Sequence, residues 1–461
     1  MSGLFIVVSL LGLMALGMPV AFALGMTALL TIIIFLDEGQ LRFFGESVFQ
    51  ATNDFNLLAI PLFILMGAAF AGSRAGADLF NAGYVWCYKL RGGLAMCSVV
   101  ACAVFAGLCG SSAATSAAIG RFAIPEMMKH GYSSRLATGA IAAGGTLGIL
   151  IPPSVTLILY GVATEVSIGQ LFLGGVIPGV LVTVLFCIWI SIAARREIAQ
   201  RVSLEAVRAA EPVAAGGLPA VLDGPGADAT VVPVESFSLT QRVMATVRVI
   251  PFGLLIVGVL AMLYLGIATP SEAAAGGALL ALVLVIIADR GMTLRRFNEI
   301  LRESTGQTTM VMLIVAFSAI LASVLSFLRI PQDLAALITD LDMNRWVVLL
   351  VINLLLLVLG FFLPPVSIIL MTAPILLPVI TTLGFSPLWF GVVMTLNMEM
   401  GLITPPVGVN LYVTKGVSPA EVSLLDVLRG STPYVGVLAV AIVIMSIFPQ
   451  IILWLPERIY G

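Results

Sequence analysis

The sequence predicts an all-α integral membrane protein: a multi-span helical bundle with two re-entrant hairpins and an internal structural repeat. Three observations carry that expectation. Of 461 residues, 60% are hydrophobic and 10% charged, with mean hydropathy +1.14, where a soluble domain carries about 25% charged residues. Apolar runs long enough to cross a bilayer recur from Leu4 to Leu455. Shifting the chain by 253 residues superimposes 107–153 on 360–406 without a gap.

The first run, Gly3 to Leu36, has no basic residue ahead of it and exceeds a signal-peptide core, so it reads as retained membrane helix. Gly17, Pro19 and Gly25 interrupt it, giving either a kinked span or a span plus an interfacial segment. Further spans are expected near 55–72, 136–165, 171–193, 248–266, 271–288, 305–327, 388–414 and 433–455. The stretches 94–128 and 346–383 are too long for one span and are broken by Gly, Ser and Pro. Each reads as paired half-helices, because broken backbone at membrane depth survives only inside protein or beside a watery cavity.

The segment 194–247 differs from all of these. Arg195, Arg196, Arg201 and Arg208 precede AAGGLPAVLDGPGADAT, and the whole reads as a polar loop, disordered in its middle. With Arg242 and Arg248 at its far end, the positive-inside rule assigns it to the cytoplasm, the GIATPSE turn at 266–272 to the periplasm, and Arg290, Arg295, Arg296 and Arg302 to the cytoplasm again. The chain therefore divides into a first half, 1–193, the loop, and a second half, 248–461.

Six of the seven identities in the repeat are Gly or Pro, residues that fix backbone geometry, and they form two shared patterns, P-x5-G-[YF]-S and then G-x3-P-P. Secondary transporters place their site at such a repeat interface, near the midplane. Sequence leaves open whether the halves are inverted or parallel.

Candidate site residues sit at the expected backbone breaks. The first hairpin carries Ser111, Ser112, Thr115 and Ser116. The last two read as close packing of small residues. Ser111 and Ser112 follow Gly110 at the break, where freed carbonyls and hydroxyls replace the water shell of a small cation and a half-helix N-terminus faces an anion. The second hairpin breaks at Gly360 to Ser367, where Pro364 and Pro365 prevent a continuous helix. Each hairpin is followed by a span interrupted by G-x3-P-P, containing Thr146, Gly148 and Ser154 in one half and Asn397, Glu399, Gly401, Thr404 and Asn410 in the other. Polar groups inside a membrane are functional candidates by default, and Glu399 reads equally well as a structural acceptor for backbone donors. Asn397, Thr404 and Asn410 supply neutral oxygens suited to sodium. The sodium ligands expected are Ser112 and Thr404, with backbone carbonyls near Gly110 and Leu363.

Other chemistry finds little support. The net charge of -2 and a pI near 5.6 offer no basic surface for nucleic acid. Cys87, Cys97, Cys102, Cys109 and Cys187 form no C-x-x-C pair, which argues against a disulfide framework or zinc site. There is no G-x4-G-K-[ST] loop and no H-E-x-x-H, and the single histidine, His130, lies in a polar turn and reads as solvated. No enzyme activity and no organic cofactor are expected.

The strings LLAIPLFILMG (57–67), GSSAATSAAIG, IPEMMKHGY, AAGGTLGILIPPS, APILLP and EMGLITPPVGVNLYV occur in this order over most of the chain. They resemble the large membrane subunit of TRAP transporters, the tripartite ATP-independent periplasmic uptake systems for organic acids. The resemblance implies a sodium-coupled elevator, in which a mobile domain carrying both hairpins slides against a scaffold and imports a C4-dicarboxylate or similar carboxylate. It implies location in a bacterial inner membrane, a soluble periplasmic binding protein, and a small four-helix membrane subunit. That subunit is expected as a separate chain, since no extra N-terminal helices are found. Many members of the family have an acidic residue just before the proline of the second tip. Here Leu363 and Pro364 precede Pro365, shifting weight to backbone carbonyls. The rival readings are a stand-alone carboxylate or ion transporter of related fold, a membrane-embedded enzyme and a passive channel.

Overall fold

The computed structural model describes residues 2–36, 38–90, 92–210, 237–289, 293–340 and 343–460. Among them every regular element is helical. The first half runs α1 (Ser2–Ala15), α2 (Val20–Phe35), α3 (Arg42–Thr52), α4 (Ala59–Ala71), α5 (Ala75–Cys87), α6 (Gly93–Cys109), α7 (Ser112–Lys129), α8 (Ser134–Thr146), α9 (Val155–Thr164) and α10 (Ile168–Ala210). The second runs α11 (Leu239–Tyr264), α12 (Pro270–Asp289), α13 (Leu294–Phe327), α14 (Ile330–Asp340), α15 (Arg345–Gly360), α16 (Pro365–Thr382), α17 (Pro387–Leu402), α18 (Val409–Val417), α19 (Leu424–Ile447) and α20 (Gln450–Tyr460).

Six of these helices, α10, α11, α12, α13, α16 and α19, are long and apolar enough to cross a membrane. Both expected hairpins are present. At 17 residues α6 reaches about 25 Å, short of a roughly 30 Å hydrocarbon core, and α7 turns back after a two-residue break. The shared sequence patterns have a local cause. In P-x5-G-[YF]-S the helix ends at a left-handed glycine, Gly131 (φ +78°) or Gly384 (φ +77°). The serine two residues on then caps the next helix, Ser133 accepting from the Leu136 amide (3.1 Å) and Ser386 from the Trp389 amide (3.5 Å). The G-x3-P-P pattern interrupts both following spans, and in each the Pro-Pro bond is cis.

The broken spans form the centre of the molecule. Every residue of α8 from Leu136 to Thr146 and of α17 from Leu388 to Leu402 is buried. Glycines make this possible in α8: a Cβ on Gly139 would overlap the Gly430 carbonyl of α19, and one on Gly145 the Ser116 hydroxyl of α7. At the periphery, Leu254, Val257, Leu279, Leu350, Leu354 and Val440 expose apolar side chains, the outer surface expected of a protein solvated by lipid.

The halves are inverted. Near the start of α19, Arg135 pairs with Asp426 at 3.5 Å, and near its end the Trp389 indole donates to the Met445 carbonyl at 2.9 Å. The Gly131 and Gly384 corners therefore lie at opposite ends of a 24-residue helix about 36 Å long. Packing is exchanged between halves as well, α2 lying on α13 as α12 lies on α4.

Several expectations are corrected. The run 3–36 is neither a kinked span nor a span plus an interfacial segment. It is two antiparallel helices joined at Gly17 (φ +85°), with the Phe5 and Phe35 rings 5.3 Å apart. Much of the expected loop 194–247 is helix: α10 continues to Ala210 and α11 starts at a Ser238–Gln241 capping box. Arg195 to Ala210 is polar yet rich in good helix formers, and polarity alone does not end a helix. The loop's middle, 211–236, and Arg290 lie outside the described residues. The span 433–455 ends at Ile447, because Pro449 lacks the amide a continuing helix needs, and α20 is a separate amphipathic helix. The helices α3, α5 and α14 were not expected, since mixed polarity hides short surface helices from a hydropathy reading.

Candidate functional site

The first hairpin breaks at Gly110, whose φ of +60° ends α6, and Ser111 is extended before α7 begins at Ser112. The tip is seated on the broken span beside it. A Cβ on Gly148 would stand 2.7 Å from the Ser111 carbonyl and 2.9 Å from the Ser112 nitrogen, and one on Gly110 would stand 2.9 Å from the Pro153 carbonyl oxygen. Only glycine permits this approach. In the second half Gly401, the counterpart of Gly148, meets Gly360 at the end of α15, four residues before Pro364, with a would-be Cβ 2.8 Å from its Cα. Pro364 occupies the cap position of α16 and Leu363 is buried at the tip.

Polar residues meet on this frame. Asn410 of α18 donates through Nδ2 to the Ser112 hydroxyl (2.6 Å) and to the Ala142 carbonyl (3.2 Å), tying the first tip to α8 and to the second half. Thr146 donates to the Ala143 carbonyl (2.7 Å) and stands 3.5 Å from Glu399 Oε2. These two residues are 253 apart, so each meets its own repeat counterpart, which places them on the axis relating the halves. Asn397 donates to both oxygens of Asn353, at 2.9 and 2.8 Å, beside a groove of about 430 Å³ between α15, α17 and α19. Thr404 is half-buried and donates to the Met400 carbonyl at 2.6 Å, leaving its oxygen lone pairs open. No hydrogen bond joins Thr404 to the first tip among the described residues.

Buried oxygens without a hydrogen-bond partner among the described residues concentrate in this region: Ser116 Oγ, Ser367 Oγ, Asn397 Oδ1, Glu399 Oε1, Asn410 Oδ1 and Thr414 Oγ1. Such atoms are costly unless something binds them. Since no group of three His, Cys, Asp or Glu side chains comes together among the described residues, the available donors are mainly neutral hydroxyls, amides and carbonyls. That chemistry suits a hard monovalent cation.

Some roles differ from expectation. Thr115 is not merely a packing residue: its hydroxyl donates to the Ser111 carbonyl at 2.8 Å and helps fix the tip. His130 is not solvated but held, Nδ1 against the Glu126 carbonyl (2.9 Å) and Nε2 against the Tyr84 hydroxyl (3.1 Å). Ser154 caps α9, accepting from the Leu157 amide at 3.3 Å, and so has a structural role. Asn353 escaped notice, although a lone asparagine in an apolar half-helix is itself a signal.

The family described as "Tripartite ATP-independent periplasmic transporter, DctM component" matches residues 7–451. The C4-dicarboxylate TRAP transporter large permease protein DctM of Pseudomonas aeruginosa is 36% identical over 436 residues, 94% of each chain. The isethionate TRAP transporter permease protein DctMQ of Oleidesulfovibrio alaskensis is 30% identical over 94% of this chain and 63% of its own length. In fold, the chain is similar to the crystal structure of the Alcanivorax borkumensis YdaH transporter, with TM-score 0.59, 16% identity and coverage of 90% of this chain and 91% of that one.

Proposed function

We propose, from the premise that this chain belongs to the DctM component family of tripartite ATP-independent periplasmic transporters, that it imports an organic carboxylate together with sodium. It is a membrane transporter subunit, not an enzyme. The observation that carries the sodium reading is the Ser112–Asn410 contact, where a hairpin tip meets a neutral amide whose Oδ1 has no hydrogen-bond partner among the described residues. The residues that would hold the ion are Ser112, Asn410 and the carbonyls around Gly110, with Thr404 and the carbonyl of Leu363 as candidates in the second half. The carboxylate would face the start of α7, whose first amides lack helical acceptors and carry the positive end of the helix dipole.

The Arg-rich end, with Arg195, Arg196, Arg242, Arg248, Arg295 and Arg296, faces the cytoplasm of a bacterial inner membrane in this reading. The first hairpin then enters from the cytoplasmic side and the second from the periplasmic side. Sliding both tips and both broken spans as one body against α2, α4, α12 and α13 would expose the site to each side in turn, an elevator. A soluble periplasmic protein delivers the substrate, and a small four-helix subunit completes the membrane unit. The DctMQ relative, which extends well beyond the matched region, supports such an added component. C4-dicarboxylates are the substrate class favoured by the Pseudomonas relative's name.

The test is uptake of labelled succinate into proteoliposomes holding the chain and its small subunit, with an imposed inward sodium gradient and no ATP. Concentrative uptake is expected only when sodium and the binding protein are both supplied. Undiminished uptake in sodium-free buffer under a proton gradient overturns sodium coupling, and uptake without the binding protein favours the stand-alone reading.

A further inference from the structure

We propose that the cleft between α7 and α13 is a second carboxylate station, passed between the hairpin tip and the cytoplasm, and that Arg121 is its anchoring residue; this rests on the import reading above. The cleft is a cavity of about 870 Å³, ample for a small organic acid. One wall is the face of α7 carrying Ala114, Ala118 and Arg121, and the other is the start of α13 with Arg296 and Glu303. The α7 wall begins at Ala114, within the first turn of the helix that follows the tip. Alanines keep it open for a turn and a half, and the next side chain on that face is the guanidinium.

Arg121 stands about 14 Å along α7 from Ser112 and about 12 Å from the Lys129 end. Arg121 shares this cleft with Arg295 and Arg296, so its charge opens onto a polar space and not onto lipid, the setting in which charged residues mark substrate paths. The charge around it is in excess of one sign. Arg74, Arg121, Arg295 and Arg296 line the cleft against Glu299 and Glu303. Arg295 is committed to Glu299 at 3.2 Å, while Arg74 and Arg296 have contacts of their own. Arg121 makes no ion pair among the described residues, leaving its planar fork of donors for a carboxylate. An arginine serving only lipid phosphate would be expected at the helix end, where Lys129 already sits.

The test places a reporter cysteine at Ala118 in a chain with Cys87→Ala and Cys187→Ala, the remaining cysteines being buried. Its labelling by a membrane-impermeant maleimide is followed in inside-out vesicles of neutral lipid. Succinate and acetate are expected to slow labelling severalfold where chloride at equal ionic strength does not, and Arg121→Gln should abolish the protection while Arg121→Lys keeps part of it. In reconstituted exchange, Arg121→Gln should raise the internal half-saturation for succinate about tenfold, more than the external one. Failure of both carboxylates to protect, equal protection in Arg121→Gln, or protection only when anionic lipid is added overturns the proposal. The sodium-gradient assay can succeed in each of these cases, so the two readings fail separately.

Discussion

Gly148→Ala probes whether the broken span governs the ion site through the hairpin tip. The added Cβ would stand 2.7 Å from the Ser111 carbonyl, while ordinary contact begins near 3.4 Å, so the tip must withdraw by about 0.7 Å. Its neighbour is backbone and cannot rotate aside. Overpacking of this kind costs about 1–3 kcal/mol. If that strain falls on the seated form of the tip, which presents Ser112 to Asn410, ion binding weakens about 5- to 150-fold, at 1.4 kcal/mol per decade. Initial uptake rates against sodium concentration in proteoliposomes should show a half-saturation raised about fivefold or more. Gly401→Ala, facing Gly360 at 2.8 Å, should behave alike, and Gly258→Ala, with nothing within 4 Å, should be silent. A thermal unfolding scan separates a moved tip from a failed fold. Gly148→Ala with unchanged sodium half-saturation and full uptake would refute the coupling of tip and span.

Ser112→Ala and Thr404→Val should each raise the sodium needed for half-maximal uptake with protein level kept; an unmoved sodium curve in both displaces the ion site from these residues. Exposed Thr309, not Thr115, is the fitting control, because Thr115 holds the Ser111 carbonyl. A double-mutant cycle on Ser112→Ala and Asn410→Leu should give about 0.5–1.5 kcal/mol of coupling in unfolding experiments, and additive losses would mean their 2.6 Å contact contributes nothing. Deleting 216–230, a stretch outside the described residues whose composition cannot bury a core, should leave insertion and uptake near normal by expression and transport assays.

What was legible in the sequence is what local backbone chemistry writes there. Gly131 with Ser133, and Gly384 with Ser386, each encode a helix stop and a cap within three residues, so the corners and both hairpins could be placed without a structure. The Ser112–Asn410 bond spans 298 residues and leaves no local trace, and Asn410 stood out only as a polar group in an apolar run. Inversion was hidden for a similar reason. Seven matching residues carry no direction, and only the contacts of nearby Arg135 and Trp389 at opposite ends of α19 supply it. Helices such as α3 and α20 escaped because half their surface is polar, which a search for apolar length discards.

The meeting of Thr146 with Glu399 bears on why two halves share one chain. A position on a two-fold axis is its own neighbour, so a dimer of identical halves must place the same residue there twice. Two glutamates would crowd like charges in a buried space, and two threonines would supply no acid at all. Fusing the halves releases that position from symmetry, allowing a single carboxyl at the centre of the molecule. With a carboxyl on one side of the axis and a hydroxyl on the other, the two halves are chemically unequal at the point where they meet, and the two sides of the molecule are no longer interchangeable there.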